Sequence, residues 1–303
     1  MNGPVAQASL ALASALKDVA ANIDRHFDAL LAVPDDPRAE LYEAMRHAAI
    51  GGGKRLRPLL VHATARLFHV DAISVTRVGT AIECIHVYSL IHDDLPAMDN
   101  DDMRRGKPTV HKRFGEATAV LAGDCLHALA FEILSAEETH RDAFVRSELV
   151  AELSHAAGPN GMAGGQMMDL EAEKSSFDLP TVTRLQAMKT GALISCAVEC
   201  GAILGRVAPD ARTGLRGYAR DIGLAFQIAD DILDVEGDEE LAGKKLRKDG
   251  DAGKETFLSL LGLDRAREQA QALVDQAIEH LHGFGAEADL LRDIARFTLD
   301  RDR

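Results

Sequence analysis

The sequence predicts an all-α protein folded as one large helical bundle, and three observations carry that prediction. Aromatic residues make up only 4% of the chain and tryptophan is absent, while alanine and leucine dominate, which favours helix over sheet. Apolar residues recur at three- and four-residue steps along several stretches. Nowhere does the sequence sustain the period-two alternation of half-buried strands.

In chain order, Leu16, Ala20, Ile23, Phe27 and Leu30 fall on one face of a first helix. Pro34 and Pro37 bracket the short acidic turn that follows it. The string Gly51-Gly52-Gly53-Lys54-Arg55-Leu56-Arg57-Pro58 ends one helix and starts another, Pro58 suiting a first turn. Val78, Ile82, Ile85 and Ser89 repeat the helical period up to an acidic segment. Pro159, in Gly158-Pro159-Asn160-Gly161, marks a joint, and Pro180 and Pro209 stand where helices should start. Leu215, Tyr218, Ile222, Ala225 and Ala229 form a further stripe that again runs into acids. About ten helices joined by short turns are expected. With no Ser/Gly linker, composition shift or fixed-period repeat, residues 1–303 read as a single domain, although 303 residues alone would suggest about two.

Composition narrows the function. A formal net charge of −14 argues against nucleic acid as a partner. Hydrophobic residues make up 47%, enough for a sizeable core, yet no apolar run approaches the roughly 20 residues of a membrane span. No basic residue precedes Lys17, so a charged targeting start is not expected. Cys84, Cys125, Cys196 and Cys200 sit in apolar, helical-looking stretches and read as reduced core thiols of a cytoplasmic protein. An acidic protein can nevertheless hold phosphate esters where divalent cations bridge carboxylate to phosphate, which requires local aspartate clusters.

Two such clusters exist. The first is Asp93-Asp94-Leu95-Pro96-Ala97-Met98-Asp99, followed by Asn100-Asp101-Asp102; the second is Asp230-Asp231-Ile232-Leu233-Asp234. In both, an apolar helix runs straight into acids, a costly place for charge unless a cation neutralises it. Asp230 and Asp234 are four apart and share one helix face, so their repulsion is relieved by a bridging cation. Magnesium suits such hard oxygen ligands, commonly with substrate phosphates completing the shell. Asp93 and Asp99, six apart, diverge on an ideal helix. Pro96 between them predicts a break that swings Asp99 back. Taken singly, either acidic run is as readily a solvated face or a helix end; the pair, with matching apolar lead-ins, favours a site.

Basic residues supply the counterpart. Three glycines let the backbone near Lys54 and Arg57 approach a ligand, and the start of the following helix favours an anion. The loop Met103-Arg104-Arg105-Gly106-Lys107-Pro108 is either charge balance for the adjacent aspartates or a diphosphate clamp. Lys189-Thr190-Gly191, Gln227 and the run from Lys244 to Lys254 are further candidates, the last equally readable as a solvated loop.

Together, Gly52 to Pro58, Asp93-Asp94 with Asp99, and Asp230 to Asp234 resemble the trans-isoprenyl diphosphate synthases, with the closest likeness to the bacterial-type farnesyl diphosphate synthase branch. The likeness runs from about Leu41 to the C-terminus and includes Gly161-Met162-Ala163-Gly164-Gly165-Gln166, Lys189-Thr190-Gly191 and Gly253-Lys254. It implies an α-helical bundle around a deep central cavity, usually a homodimer, that condenses isopentenyl diphosphate with dimethylallyl or geranyl diphosphate. It implies Mg²⁺ held by Asp93, Asp99 and Asp230, with Asp94 and Asp234 in or just behind that shell. Lys54, Arg57, His86 and Arg105 match positions holding isopentenyl diphosphate. Arg104, Lys189, Thr190, Gln227, Lys244 and Lys254 match those facing the allylic substrate. Tyr88 and Ser89 match positions that set chain length, a bulky Tyr88 stopping growth at fifteen carbons.

Lesser signals and rivals stay open on sequence alone. Cys196 and Cys200 lie on one helix face but lack the further ligands a zinc site wants, so they read as core cysteines. His92 reads as structural rather than ligating. A geranylgeranyl diphosphate synthase would differ only in cavity depth. A terpene cyclase would not need the Lys54/Arg57 cluster, and a non-catalytic regulatory subunit should have damaged aspartate motifs, which are complete here.

Overall fold

Ser9, whose hydroxyl accepts the Leu12 amide, opens helix α1 (Leu10–Leu30), and Leu12, Val19, Ile23 and Phe27 form its buried stripe. The structure is a computed structural model, and it describes residues 9–236 and 255–300. Helices α2 (Ala39–Ala49) and α3 (Leu56–Arg66) flank the glycine-rich segment. Asp71 caps α4 (Ala72–Asp93) by accepting the amides of Ile73 and Ser74. A tight hairpin pairs Met103–Arg104 with Lys107–Pro108. Arg105 and Gly106 at its tip have φ of 52° and 73°, the positive values a two-residue turn demands. This hairpin is the whole sheet content among the described residues, and two-residue strands are too short to leave a period in the sequence.

The chain continues through α5 (Val110–Phe114), α6 (Glu116–Ser135), α7 (Ala143–Ala157) and α8 (Met162–Ala172). Asp178 caps α9 (Leu179–Gln186) and Pro180 occupies its first turn, as the sequence predicts. A π-helical turn, Ala187–Gly191, joins α9 to α10 (Ala192–Leu204). Pro209 opens a 3₁₀ turn, Pro209–Arg212, and α11 (Thr213–Glu236) follows, so that the proline marks the joint rather than the helix start. The described chain ends with α12 (Phe257–Leu261), α13 (Leu263–His280), a 3₁₀ stretch His282–Ala288 and α14 (Asp289–Asp300).

Helices α4 and α10 run through the middle. The first packs on α1, α3, α6 and α10, the second on α3, α7 and α11. Helix α10 is buried along nearly its whole length, which explains why its apolar residues wrap all round it. The sequence has no unbroken apolar run of membrane-spanning length, but among the described residues two helical stretches, 116–135 and 179–204, are long and apolar enough on average to cross a membrane by length and composition alone. The second is mostly core. In the first only 39% of the most apolar window is buried, and Val120 and Leu121 on α6 stand exposed.

One buried ion pair fixes the glycine-rich segment against α4. Arg55, left-handed at φ 49°, turns inward from the basic cluster. It donates to Glu83 at 2.8 Å, to Asp24 at 2.7 Å and to the Ala49 carbonyl. Burial alone would lower the guanidinium value, but Glu83 and Asp24 hold it raised. Glu83→Ala removes the buried one of the two counter-charges and leaves only part-exposed Asp24, so we expect unfolding to become easier by about 3 kcal/mol, measurable as a fall in the urea midpoint.

Candidate active site

Helix α4 stops at Asp93, and the chain then doubles back. Pro96 offers no amide to continue the ladder. Instead the Met98 amide donates to Leu95 and the Asp99 amide donates to the Asp93 carbonyl at 2.8 Å. The break expected from Pro96 is present, and it returns Asp99 to the neighbourhood of Asp93. Burial raises the Asp93 carboxyl to about 6; Lys189 and Arg104 pull it down, while Asp99 and Asp94 push it up.

The second acid of each cluster is turned to structural work. Arg104 in the hairpin grips the buried Asp94, its Nε 2.8 Å from one carboxylate oxygen and 3.0 Å from the other. Buried Asp231 accepts the Phe257 amide at 2.8 Å, tying α11 to the start of α12. Asp230 and Asp234 remain part-exposed on α11, one turn apart.

Opposite Asp93 stands the π-helical turn. Its extra residue per turn re-aims Lys189 and Thr190, and such bulges gather at functional sites. Lys189 is close enough to lower Asp93 and is itself held by Asp169 on α8 at 2.8 Å. The Gln227 amide donates to the Gln186 side chain at 2.6 Å, which ties α11 to the residue just before the turn. Two glycines allow this close approach. A Cβ at Gly165 would lie 2.2 Å from the Lys189 nitrogen, and one at Gly223 would lie 3.2 Å from the Gly191 Cα. Gly165→Ala must therefore push the turn away. We expect turnover to fall by roughly 10–100-fold because of the misplaced Lys189, with the helical circular dichroism unchanged.

The basic residues converge on a second pocket. Lys54, Arg57, His86 and Arg105 line a cavity of about 150 Å³, together with Phe226 from α11 and Phe297 and Thr298 from α14. Lys54 Nζ lies 5.8 Å from the Phe297 ring centre. The glycines do not hold this space open: a Cβ at Gly53 would meet the Arg105 guanidinium at 2.7 Å, so their bareness seats that arginine. Burial holds His86 well below its ordinary value, and Arg57, Arg105, Arg104 and Arg55 add to the effect, so it is a neutral imidazole. Burial also lowers Arg57, which feels opposing pulls from Glu83 and Asp230 and repulsion from Arg105. The acidic and basic walls thus sense each other twice: Asp93 with Lys189, and Arg57 with Asp230.

Ser89, one helical turn beneath Asp93, donates its hydroxyl to the His86 carbonyl at 2.9 Å. Tyr88 faces α6, edge-on to His92 and His127. Lys244 and Lys254 lie outside the described residues. Sequence reasoning did not single out Asp169, Glu83 or Gln186, each of which acts through a partner distant in the chain and carries no local signal.

The donor set fits magnesium chemically, since it consists of carboxylate oxygens, one of them raised in pKa by burial and by neighbouring acids. Among the described residues no three ligating side chains converge into a ready-made cage.

A family model described as polyprenyl synthetase matches residues 38–293. Farnesyl diphosphate synthase of Escherichia coli (strain K12) is 46% identical over 269 residues, 86% of this chain and 89% of that protein. A crystal structure of an FPP/GFPP synthase from Zymomonas mobilis is similar with a TM-score of 0.88 and 62% identity, covering 95% of this chain and 98% of that one. A geranyltransferase from Helicobacter pylori, complexed with magnesium and isoprenyl diphosphate, has a TM-score of 0.80 and 33% identity, covering 95% and 97%.

Proposed function

The chain belongs to the polyprenyl synthetase family, and from that premise we propose that it is a farnesyl diphosphate synthase, condensing isopentenyl diphosphate with dimethylallyl and then geranyl diphosphate. The observation that carries this reading is a cavity lined by Lys54, Arg57, His86 and Arg105 within electrostatic reach of the α11 aspartates, since Asp230 acts on Arg57, while Lys189 acts on Asp93. One wall pair can grip an allylic diphosphate while the cationic pocket grips another. A cyclase has one diphosphate to hold and no use for the second pocket.

Asp93, Asp99, Asp230 and Asp234 are proposed to hold Mg²⁺, with Asp94 behind them bracing Arg104; the magnesium in the Helicobacter pylori relative supports this. When bound, the metal neutralises charge developing on the departing diphosphate. Arg104 and Lys189 add fixed positive charge there, with Lys244 and Lys254 proposed alongside from the family likeness. Thr190 and Gln227 present dipoles without a free amine to trap the carbocation. Lys54, Arg57, His86 and Arg105 orient isopentenyl diphosphate so that its double bond meets the ionised carbon. Water exclusion protects that cation. His86, held neutral by burial among arginines, is a poor base, so the final proton goes to the released diphosphate.

Labelled isopentenyl diphosphate and Mg²⁺, offered with dimethylallyl, geranyl or farnesyl diphosphate in turn, test the proposal. The first two should be consumed and the fifteen-carbon product should accumulate, with activity lost on chelation. Accumulation of the twenty-carbon product would favour geranylgeranyl diphosphate synthesis instead. Conversion of farnesyl diphosphate without isopentenyl diphosphate would indicate a cyclase.

A homodimer through α6 is part of the proposal, supported by the exposed Val120 and Leu121 on an otherwise apolar helix. Leu121→Glu should convert the dimer to monomer in light scattering, whereas monomeric wild-type protein would contradict it. A cytoplasmic location is likewise proposed, in keeping with four free cysteines.

A further inference from the structure

The hairpin that carries Arg104 and Arg105 has little of its own to hold it in place. Its strands are two residues each, and a lone two-stranded hairpin is marginal in water. Arg105 at the tip sits at φ 52°, a left-handed conformation that a residue other than glycine keeps only where its surroundings impose it. Packing against α2 does not supply the hold. A cavity of about 50 Å³ lies between them, with His47, Ile50, Arg105, Lys107 and Pro108 in its lining. Thr109 donates its amide to Asp102 and its hydroxyl to the Asp101 carbonyl, but these bonds close the base of the hairpin without fixing where it sits.

Two polar ties to α2 do that instead. The Nε2–H of His47 donates to the Pro108 carbonyl at 2.8 Å, and Lys107 Nζ donates to the Ile50 carbonyl, just past the end of α2, at 3.2 Å. His47 is in turn oriented from α5. Its Nδ1 accepts from Arg113 at 3.0 Å, and its ring stands edge-on to Phe114, the centres 5.6 Å apart and the planes at 70°.

We propose that His47 is a positioning residue for isopentenyl diphosphate, holding the second hairpin strand so that Arg105 reaches the cation-lined cavity. Arg105 lines both spaces, the unfilled one beside α2 and the one it shares with Lys54, Arg57 and His86. A hairpin that settles into the first withdraws its guanidinium from the second. Arg104 is gripped independently by Asp94, so the allylic side should feel the loss of the tie far less. The proposal rests on the farnesyl diphosphate synthase reading, in which that cavity holds isopentenyl diphosphate, and deepens it.

The test measures KM for isopentenyl and for geranyl diphosphate, with Mg²⁺, in wild-type protein, His47→Phe, His47→Gln, Arg105→Ala and the His47→Phe/Arg105→Ala double variant. His47→Phe keeps a ring against Phe114 but cannot donate. It should raise KM for isopentenyl diphosphate roughly five- to twentyfold, while KM for geranyl diphosphate and kcat stay within about twofold. His47→Gln, whose amide nitrogen can stand where Nε2 stands, should return KM to near the wild-type value. His47→Phe should add nothing once Arg105 is alanine. Should His47→Phe not fold, Lys107→Met removes the other tie and carries the same expectation. An unchanged KM for isopentenyl diphosphate overturns the proposal, as does an equal rise for both substrates, failure of His47→Gln to rescue, or an additive effect in the double variant. Arg105→Ala with an unchanged KM for isopentenyl diphosphate overturns the reading of that cavity instead, so the two failures are told apart.

Discussion

Asp93→Asn is expected to lower kcat by roughly 10³-fold, with Asp230→Asn giving a loss of the same order. Each substitution keeps size and shape but removes one charge from the acidic walls, so bound Mg²⁺ would lose a ligand where the leaving group develops its charge. KM for isopentenyl diphosphate should move little, because Lys54, Arg57, His86 and Arg105 form a separate wall of the site. The double substitution should cost far less than the product of the single losses, since residues that hold one bound group act as a unit. Stability should move the other way in Asp93→Asn. The folded value of Asp93, about 6, sits above its unfolded value of 3.8, so ionised Asp93 opposes folding. That opposition is full at pH above about 6 and fades as pH falls through the interval towards 3.8. Asp93→Asn should therefore be the more stable protein at pH 7 and lose the advantage in acid, which urea denaturation at two pH values reads directly.

Tyr88→Ala should replace the fifteen-carbon product with longer ones as the main output. On the proposed function the allylic diphosphate would sit at Asp93, with its hydrocarbon running down α4. Ser89 lies one turn below and Tyr88 five residues below, about 7.5 Å along the axis. Burial raises the Tyr88 phenol and the charge of Asp93 adds to it, so the ring is within electrostatic reach of that carboxylate. Removing the ring opens depth without touching the carboxylates, so turnover on the short starter should persist while elongation continues. Chromatography of the dephosphorylated products decides the matter. Unchanged length would strip Tyr88 of its role.

Most of the helical architecture was legible because it depends on local spacing. The stripe from Leu16 to Leu30 became α1, the period through Val78, Ile82 and Ile85 became α4, and Leu215 to Ala225 became the buried face of α11. Pro96 foretold the doubling back that brings Asp99 to Asp93, because proline acts on its own neighbours. What stayed hidden depends on residues remote in the chain. Nothing around Lys189 announces a π-helical turn; its cause lies in the packing of Gly165 and Gly223 against it. Arg55 reads like its neighbours Lys54 and Arg57, and only Glu83, 28 residues away, turns it into a buried strut. The glycines at 51–53 were legible as a close approach, but the group that approaches is Arg105 rather than a ligand alone. The apolar length of α6 was missed because its apolar residues do not form an unbroken run.

On the proposed function, the opposed acidic walls on α4 and α11 share one diphosphate. Crystals grown with Mn²⁺ and a non-ionisable allylic diphosphate analogue test it most directly, through anomalous scattering of the metal. Manganese peaks should bridge carboxylate oxygens of Asp93 and of Asp230 to the same analogue, with Lys189 on its phosphates. Metal bound to one cluster while the other opens onto a different surface, too far to reach that analogue, would contradict it.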